Sequence, residues 1–458
     1  MPEHFFTTPD SSEKRIGLVY SSDNENYQPL DFSKIDDIES LLRNSSSATN
    51  IDAFGRLRVS EPFTLGDYSH VYGEETELLT KTSGTNSKIT FNILKAEAQL
   101  QVGTGQSDFT IHQSRMYHHY MPGKSQVTLQ SFNFSGVRVG TNKRVGLFDD
   151  KNGIYFMQSG DGSLHMVLRN NISGVVYDEM VYQNNWNTDV CNGSGFSQFN
   201  LDPTKTQLFW SDYEWLGVGR VRVGFINEGG FVTAHQFYNS NLKDSVYLSN
   251  PNLPVRCDIR NYSSTTGVDC MQQICATVFS EGGYSEAGVD FGAKTTGFRS
   301  IDVQASLPVM AIRLKTGYYG QPNRSVVRLG SLEFFSSAQP CSYDIARLPS
   351  GASLIGGSWV SVGDDSVVEY NVNATGFSLS GANIIDVGFV QSNSVGVGNA
   401  SAATSSIASA STAKRSYLSQ NIDSNDSNIF CVIMKNYSAG GGSTATNAFV
   451  GMQWRETR

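Results

Sequence analysis

The residues best placed to do chemistry stand in one short stretch, Leu208 to Gly217, where Trp210, Asp212 and Glu214 occur at alternate positions. A β-strand sends successive side chains to opposite faces, so these three share one face and Phe209, Tyr213 and Trp215 share the other. Same-face neighbours on a strand stand about 6.5–7 Å apart. An indole beside two carboxylates at that spacing makes a surface that can hold a sugar ring, and paired carboxylates are also the acid and base of glycoside hydrolysis. Trp210, Asp212 and Glu214 are therefore the candidate glycan-binding residues. The competing reading is an ion pair with Arg220 or Arg222 just downstream.

Little else in the chain offers chemistry. His118 and His119 are adjacent, so on a strand they point to opposite faces and cannot chelate one ion. Cys191, Cys257, Cys270, Cys275, Cys341 and Cys431 fit neither zinc-ligand spacing nor a dense disulfide framework, and are expected to be buried, reduced thiols. Gly217-Val218-Gly219 lacks the following glycine of a dinucleotide loop. No catalytic residue, metal site or cofactor is assigned, and the chain is expected not to be an enzyme.

The elements that must position the candidate strand follow from composition. Of 458 residues only 17% are charged, while 39% are hydrophobic, and the chain holds 44 Gly, 26 Phe and 20 Tyr. Aromatics and Thr suit strands, and Gly, Asn and Ser suit turns, so the mixture predicts an all-β, loop-rich protein. A formal net charge of −9 without basic clusters argues against nucleic acid as a partner. No apolar run is long enough for a helix to cross a bilayer, and no basic region followed by an apolar stretch is read near the N-terminus.

Along the chain, residues 1–50 read as an N-terminal anchoring arm. It holds one short helix whose Ile35, Ile38 and Leu42 would grip a neighbouring subunit or surface. Residues 51–290 read as a β-sandwich. Val127 to Phe132 alternates, Arg144–Phe148 and Gly153–Met157 flank a turn at Asp149–Asn152, and Arg220–Ile226 and Gly230–His235 form a hairpin. Glycines near 281–297 mark a boundary, and residues 291–458 read as a second sandwich. Its strands include Met310–Leu314, Val368–Val372 and Phe430–Met434, and Ser392 to Ala413 reads as a long exposed loop. The fold class is thus two antiparallel, jelly-roll-like sandwiches behind a short arm.

Two resemblances add to this reading. The stretch around Asp212 resembles the strand of concanavalin-like glucanases that carries Glu-x-Asp-x-Glu ahead of an aromatic residue, Leu and Gly. Asp212 and Glu214 match the supporting Asp and the acid/base Glu, whereas the nucleophile's position holds Trp210, which cannot form a glycosyl ester. The resemblance therefore implies a lectin-like sandwich rather than hydrolysis by that route.

The second resemblance is longer and runs in order over roughly residues 53–458. Ala53–Leu65, Arg144–Ile154, Glu214–Phe225, Gln273–Cys275, Glu281–Tyr284, Gly357–Gly363 and Val368–Tyr370 together resemble a family of structural proteins of tailed bacteriophages from marine and cyanobacterial hosts. That resemblance implies a virion component of the tail, baseplate or a fibre, assembled in the host cytoplasm. Capsid decoration is the nearest variant. The implied partners are copies of the chain in a trimer or higher symmetric oligomer, other virion proteins, and host surface polysaccharide. A carbohydrate-active module, lectin-like or hydrolytic, is the alternative from another class.

Overall fold

The computed structural model describes residues 61–458 except 77, 229, 284–287, 392–402, 407–415, 423–424 and 438–443, and describes the backbone alone at 403–406. The arm with Ile35, Ile38 and Leu42 lies outside the described residues. The chain is all-β, and every strand pairing among the described residues is antiparallel. Its first strands are β1 (Phe63–Ser69), β2 (Leu79–Ser83), β3 (Lys88–Asn92), β4 (Glu97–Val102) and β5 (Phe109–Ser114). β6 (Gln126–Asn133), β7 (Thr141–Phe148), β8 (Gly153–Gln158), β9 (Leu164–Asn170) and β10 (Tyr177–Tyr182) follow. β11 (Gln207–Tyr213), β12 (Val221–Asn227), β13 (Gly230–Phe237), β14 (Val255–Asn261) and β15 (Asp269–Ser280) complete the first sandwich.

One sheet runs β13-β12-β11-β6-β15-β4-β3, and the facing sheet runs β10-β9-β8-β7-β14-β5-β2. Alternation drives the pairing of layers. In β4, Ala98, Leu100 and Val102 are fully buried while Glu97, Gln99 and Gln101 face away. Between the sheets lie Phe132, Phe134, Phe156, Phe209, Tyr213 and Phe225, with Phe156 stacked on Phe134 at 5.3 Å and set edge-on to Phe225 at 5.1 Å. The long β15 pairs β6 on one side and, on the other, β4 and then β1. β1 thereby extends the sheet that carries β11.

The second sandwich starts with β16 (Val289–Lys294), β17 (Arg299–Ile301) and β18 (Ser306–Leu314). A small ribbon, β19 (Gly317–Tyr318) and β20 (Gln321–Pro322), precedes β21 (Val326–Ser336) and β22 (Cys341–Leu348). Next come β23 (Leu354–Ile355), β24 (Val360–Ser361), β25 (Val368–Asn371), β26 (Gly376–Phe377) and β27 (Asn383–Val390). β28 (Ala403–Ser406), β29 (Ile429–Asn436) and β30 (Thr446–Thr457) close it. Its sheets run β16-β30-β21-β28 and β24-β25-β18-β29-β22-β27. Ala448, Val450, Met452 and Trp454 of β30 alternate into a core with Ile312, Phe334, Ile345 and Phe430.

Two expectations change. Within the stretch read as a loop, Ala403–Ser406 is a strand paired with Ser331–Phe334 of β21. An edge strand is held by its backbone ladder and needs no large apolar residues, so hydrophobicity gave no signal for it. All six cysteines are free thiols; Cys191, Cys257, Cys341 and Cys431 are buried, Cys270 is half-buried, and Cys275 is exposed. Cys275 sits where the β15–β6 register shifts between Gln273 and Cys275, and the slip turns its side chain outward.

Candidate functional site

β11 lies between β6 and β12, and its alternation sends Phe209 and Tyr213 into the core, as the sequence predicts. Trp210 and Asp212 point to the other face, and Glu214 follows just past the strand's end. That face is not open. Trp210, Asp212 and Glu214 are each 0% exposed.

Arg222, opposite Asp212 in the β11–β12 register, bonds one carboxylate oxygen, and the Ser125 hydroxyl donates to the other. The Trp210 indole N–H donates to the Val232 carbonyl at 3.2 Å, and its ring meets Phe231 edge-on at 5.3 Å. Gly224 makes room for this: a Cβ there would sit 1.9 Å from the Val232 oxygen and 3.0 Å from the indole nitrogen. The strand brings together the three residues picked from the sequence, but as a sealed ion pair and a packed indole. A sugar ring needs an accessible aromatic face, so the expectation of an open glycan platform on β11 is corrected, and the competing ion pair is the geometry observed.

A second charged cluster, unmarked by the sequence reading, lies on the outer face of the facing sheet. Arg144 grips Asp258 in two parallel bonds of 2.6 and 2.7 Å, and Arg256 bridges Asp258 and Asp150 at 3.1 and 2.9 Å. The guanidinium groups lie over aromatics, Arg256 above Phe148 at 5.1 Å and Arg169 above Tyr155 at 5.4 Å. Burial by itself would raise the Asp258 carboxyl; Arg144, Arg256 and Arg260 outweigh it and hold the group well below the usual carboxylate range. The signal was present as charges at alternate positions of β14, Arg256, Asp258 and Arg260, which place all three on one face.

A cleft of about 540 Å³ opens at the seam between the sandwiches. β1 forms one wall with Phe63, Thr64 and Asp67, and Val326, Arg328 and Thr457 of the second sandwich form another. The β1–β15 register shifts between Thr64 and Gly66, which re-aims the side chains along this wall. Asp67 opposes Thr277, which opposes Leu129, which opposes Trp210, so the cleft borders the same face of the same sheet as the sealed pair. It lies three strands away, roughly 14 Å at the usual strand spacing.

The paired histidines divide here. His118 is buried, with Nδ1 donating to the Leu253 carbonyl at 2.9 Å and Nε2 accepting from the Tyr68 hydroxyl at 2.9 Å. Burial lowers its pKa to about 4, which keeps it neutral. His119 lines the cleft; burial and then the nearby Arg328 lower its pKa too, and its buried Nδ1 has no hydrogen-bond partner. Among the described residues, no group of three His, Cys, Asp or Glu side chains converges as a metal site.

No protein-family model matches this chain, and no curated protein matches it. Solved structures do resemble it. A Bacteroides ovatus GH16 protein of a mixed-linkage glucan locus, in complex with a G4G4G3G product, shares 9% identity over 47% of this chain and 99% of its own, with a TM-score of 0.32. A family 16 glycosyl hydrolase from Mycobacterium smegmatis shares 8% identity over 45% of this chain and 93% of its own, with a TM-score of 0.32. A protein of unknown function from Shewanella oneidensis MR-1 shares 9% over 55% of this chain and 97% of its own, with a TM-score of 0.33. The likeness is one of fold. It matches the lectin and glucanase sandwich resemblance, and none of the three is described as a phage protein. Two of these structures are described as glycoside hydrolases, so the expectation that the chain is no enzyme finds no support here.

Proposed function

We propose that this protein is a carbohydrate-active β-sandwich module that meets surface polysaccharide at the seam cleft. The observation that carries this reading is the cleft's lining. Saccharides are held by an aromatic face against their C–H groups and by polar groups that bond their hydroxyls. Phe63, still 40% exposed, offers the ring, and Asp67, His119, Thr64, Arg328 and Thr457 offer donors and acceptors. Clefts of this size at domain seams are common ligand sites.

The test is titration of the full chain with a panel of neutral and acidic oligosaccharides, with reducing-end release followed in the same samples. Binding of at least one member is expected, weakened tenfold or more by Phe63→Ala and by Asp67→Asn. A panel without any binding overturns the proposal, and binding that both variants leave unchanged overturns the placement in the cleft.

A second reading draws on the ordered resemblance over residues 53–458. We propose that the module works in several copies on a tailed-phage particle, in the tail, baseplate or a fibre, or as capsid decoration, with other virion proteins as neighbours. The large apolar side chains exposed along the edge strands β10 and β27 support a surface made to be covered by protein. Mass spectrometry of purified particles decides it, and absence of the chain from particles rejects it.

A further inference from the structure

β27 ends the six-stranded sheet and, among the described residues, pairs only with β22. The outer side of such a strand presents backbone donors and acceptors that invite another strand, and proteins normally blunt the invitation with charge, proline or brevity. Most other long edges follow that rule, with Lys88 in β3, Lys81 in β2, Asp178 and Glu179 in β10, and Asp290 and Lys294 in β16, and the uncharged β13 is instead covered by a loop whose Thr188 and Asp189 N–H groups bond the Ala234 carbonyl at 3.2 and 3.1 Å. β27 does not. Its sequence, Asn-Ile-Ile-Asp-Val-Gly-Phe-Val, is eight residues long with no Lys, Arg or Pro. Its single charge, Asp386, caps the N–H of Val387 at 2.9 Å.

Ile385 and Val390 turn into the core, which fixes the strand's orientation. Ile384, Val387 and Phe389 face out at 45, 61 and 78% exposure, and Tyr437 extends the row, 6.4 Å from Phe389 between ring centres. Gly388 keeps the strand seated, because a Cβ there would meet the Tyr343 ring at 2.6 Å.

We propose that β27 pairs antiparallel, across a two-fold axis, with β27 of a second copy of this chain. The outer backbone edge, which no described strand pairs, calls for an extended strand. The uncharged outward row gives a charged partner nothing to bind and sets no like charges against each other between two copies. The strand is also self-complementary. With Gly388 at the axis, Val387 stands opposite the partner's Phe389, and the symmetric contact repeats on the other side, which makes two aromatic-to-β-branched cross-strand pairs. This inference does not depend on the carbohydrate reading.

Sedimentation of the full chain over a dilution series tests it. Wild type is expected to form dimers or multiples of two. Val387→Lys and Phe389→Lys should each raise the dimer dissociation constant at least tenfold, with melting curves confirming that the fold survives. Phe389→Ser, which adds no charge, should act in the same direction, and Leu379→Lys, exposed but off the strand, should leave the assembly unchanged. A wild type that stays monomeric throughout assigns the edge to a different occupant and overturns the proposal. Dimers untouched by all three β27 variants overturn it equally.

Discussion

Asp212→Ala should unfold the first sandwich far more readily than any surface substitution. Asp212 is closed to water and accepts from Ser125 and from Arg222, whose side chain is 1% exposed. Removing the carboxylate takes a charge partner from a buried guanidinium, which costs about 3–5 kcal/mol. For a unit of this size that is roughly 6–20 °C in melting temperature. The double variant Asp212→Ala/Arg222→Met removes both charges and keeps an apolar stem against Trp210, so most of the lost stability should return. Urea unfolding followed by tryptophan fluorescence reads both, since Trp186, Trp210 and Trp215 all report on the first sandwich. A single variant within about 1 kcal/mol of wild type would place the pair in the range of exposed salt bridges and refute the reasoning. A double variant no better than the single would refute it as well.

Two further outcomes follow from burial. His118 and His112 titrate near pH 4 and 3 when folded, against 6.5 when free, so the unfolded chain takes up protons first and stability should fall as pH drops from about 6.5 toward 4. His118 alone accounts for roughly 3 kcal/mol of that loss. Asp258, held below its free value, adds a further loss once pH passes below about 4; denaturant midpoints measured across this range check the sign, and a flat profile contradicts it. In thiol labelling of the native chain, Cys275 should react first and Cys270 slowly, while Cys191, Cys257, Cys341 and Cys431 wait for denaturant; fast labelling of Cys257 would contradict the core assignment.

Much of the strand pattern was legible because local chemistry agrees with it. The Asp149–Asn152 turn is closed by the Asp149 carboxylate, which accepts from the N–H groups of Lys151 and Asn152 at 2.8 Å each, and the hairpin it joins is visible in the sequence. The two faces of β11 were equally legible. What lies over a face was not. Period-two alternation separates Trp210 from Phe209 but cannot say that both are covered, because covering is a long-range property. The same limit hid the cleft, whose walls are more than 200 residues apart in sequence, from Phe63 in β1 to Val326 in β21. β28 escaped for the opposite reason: its ladder is made by backbone, and side-chain patterns are silent about that.

The way each sandwich closes has a consequence during synthesis. β1 bonds to β15, with Thr277 reaching the Gly66 carbonyl across 211 residues, and β16 bonds to β30, with Arg455 reaching Asp290 across 165. At translation rates of about 5–20 residues per second, the opening strand of each unit waits roughly ten to forty seconds for its mate. Throughout that interval the growing chain carries a β sheet with an unfilled place. A nascent chain of this design must stay soluble with that place open until the closing strand leaves the ribosome.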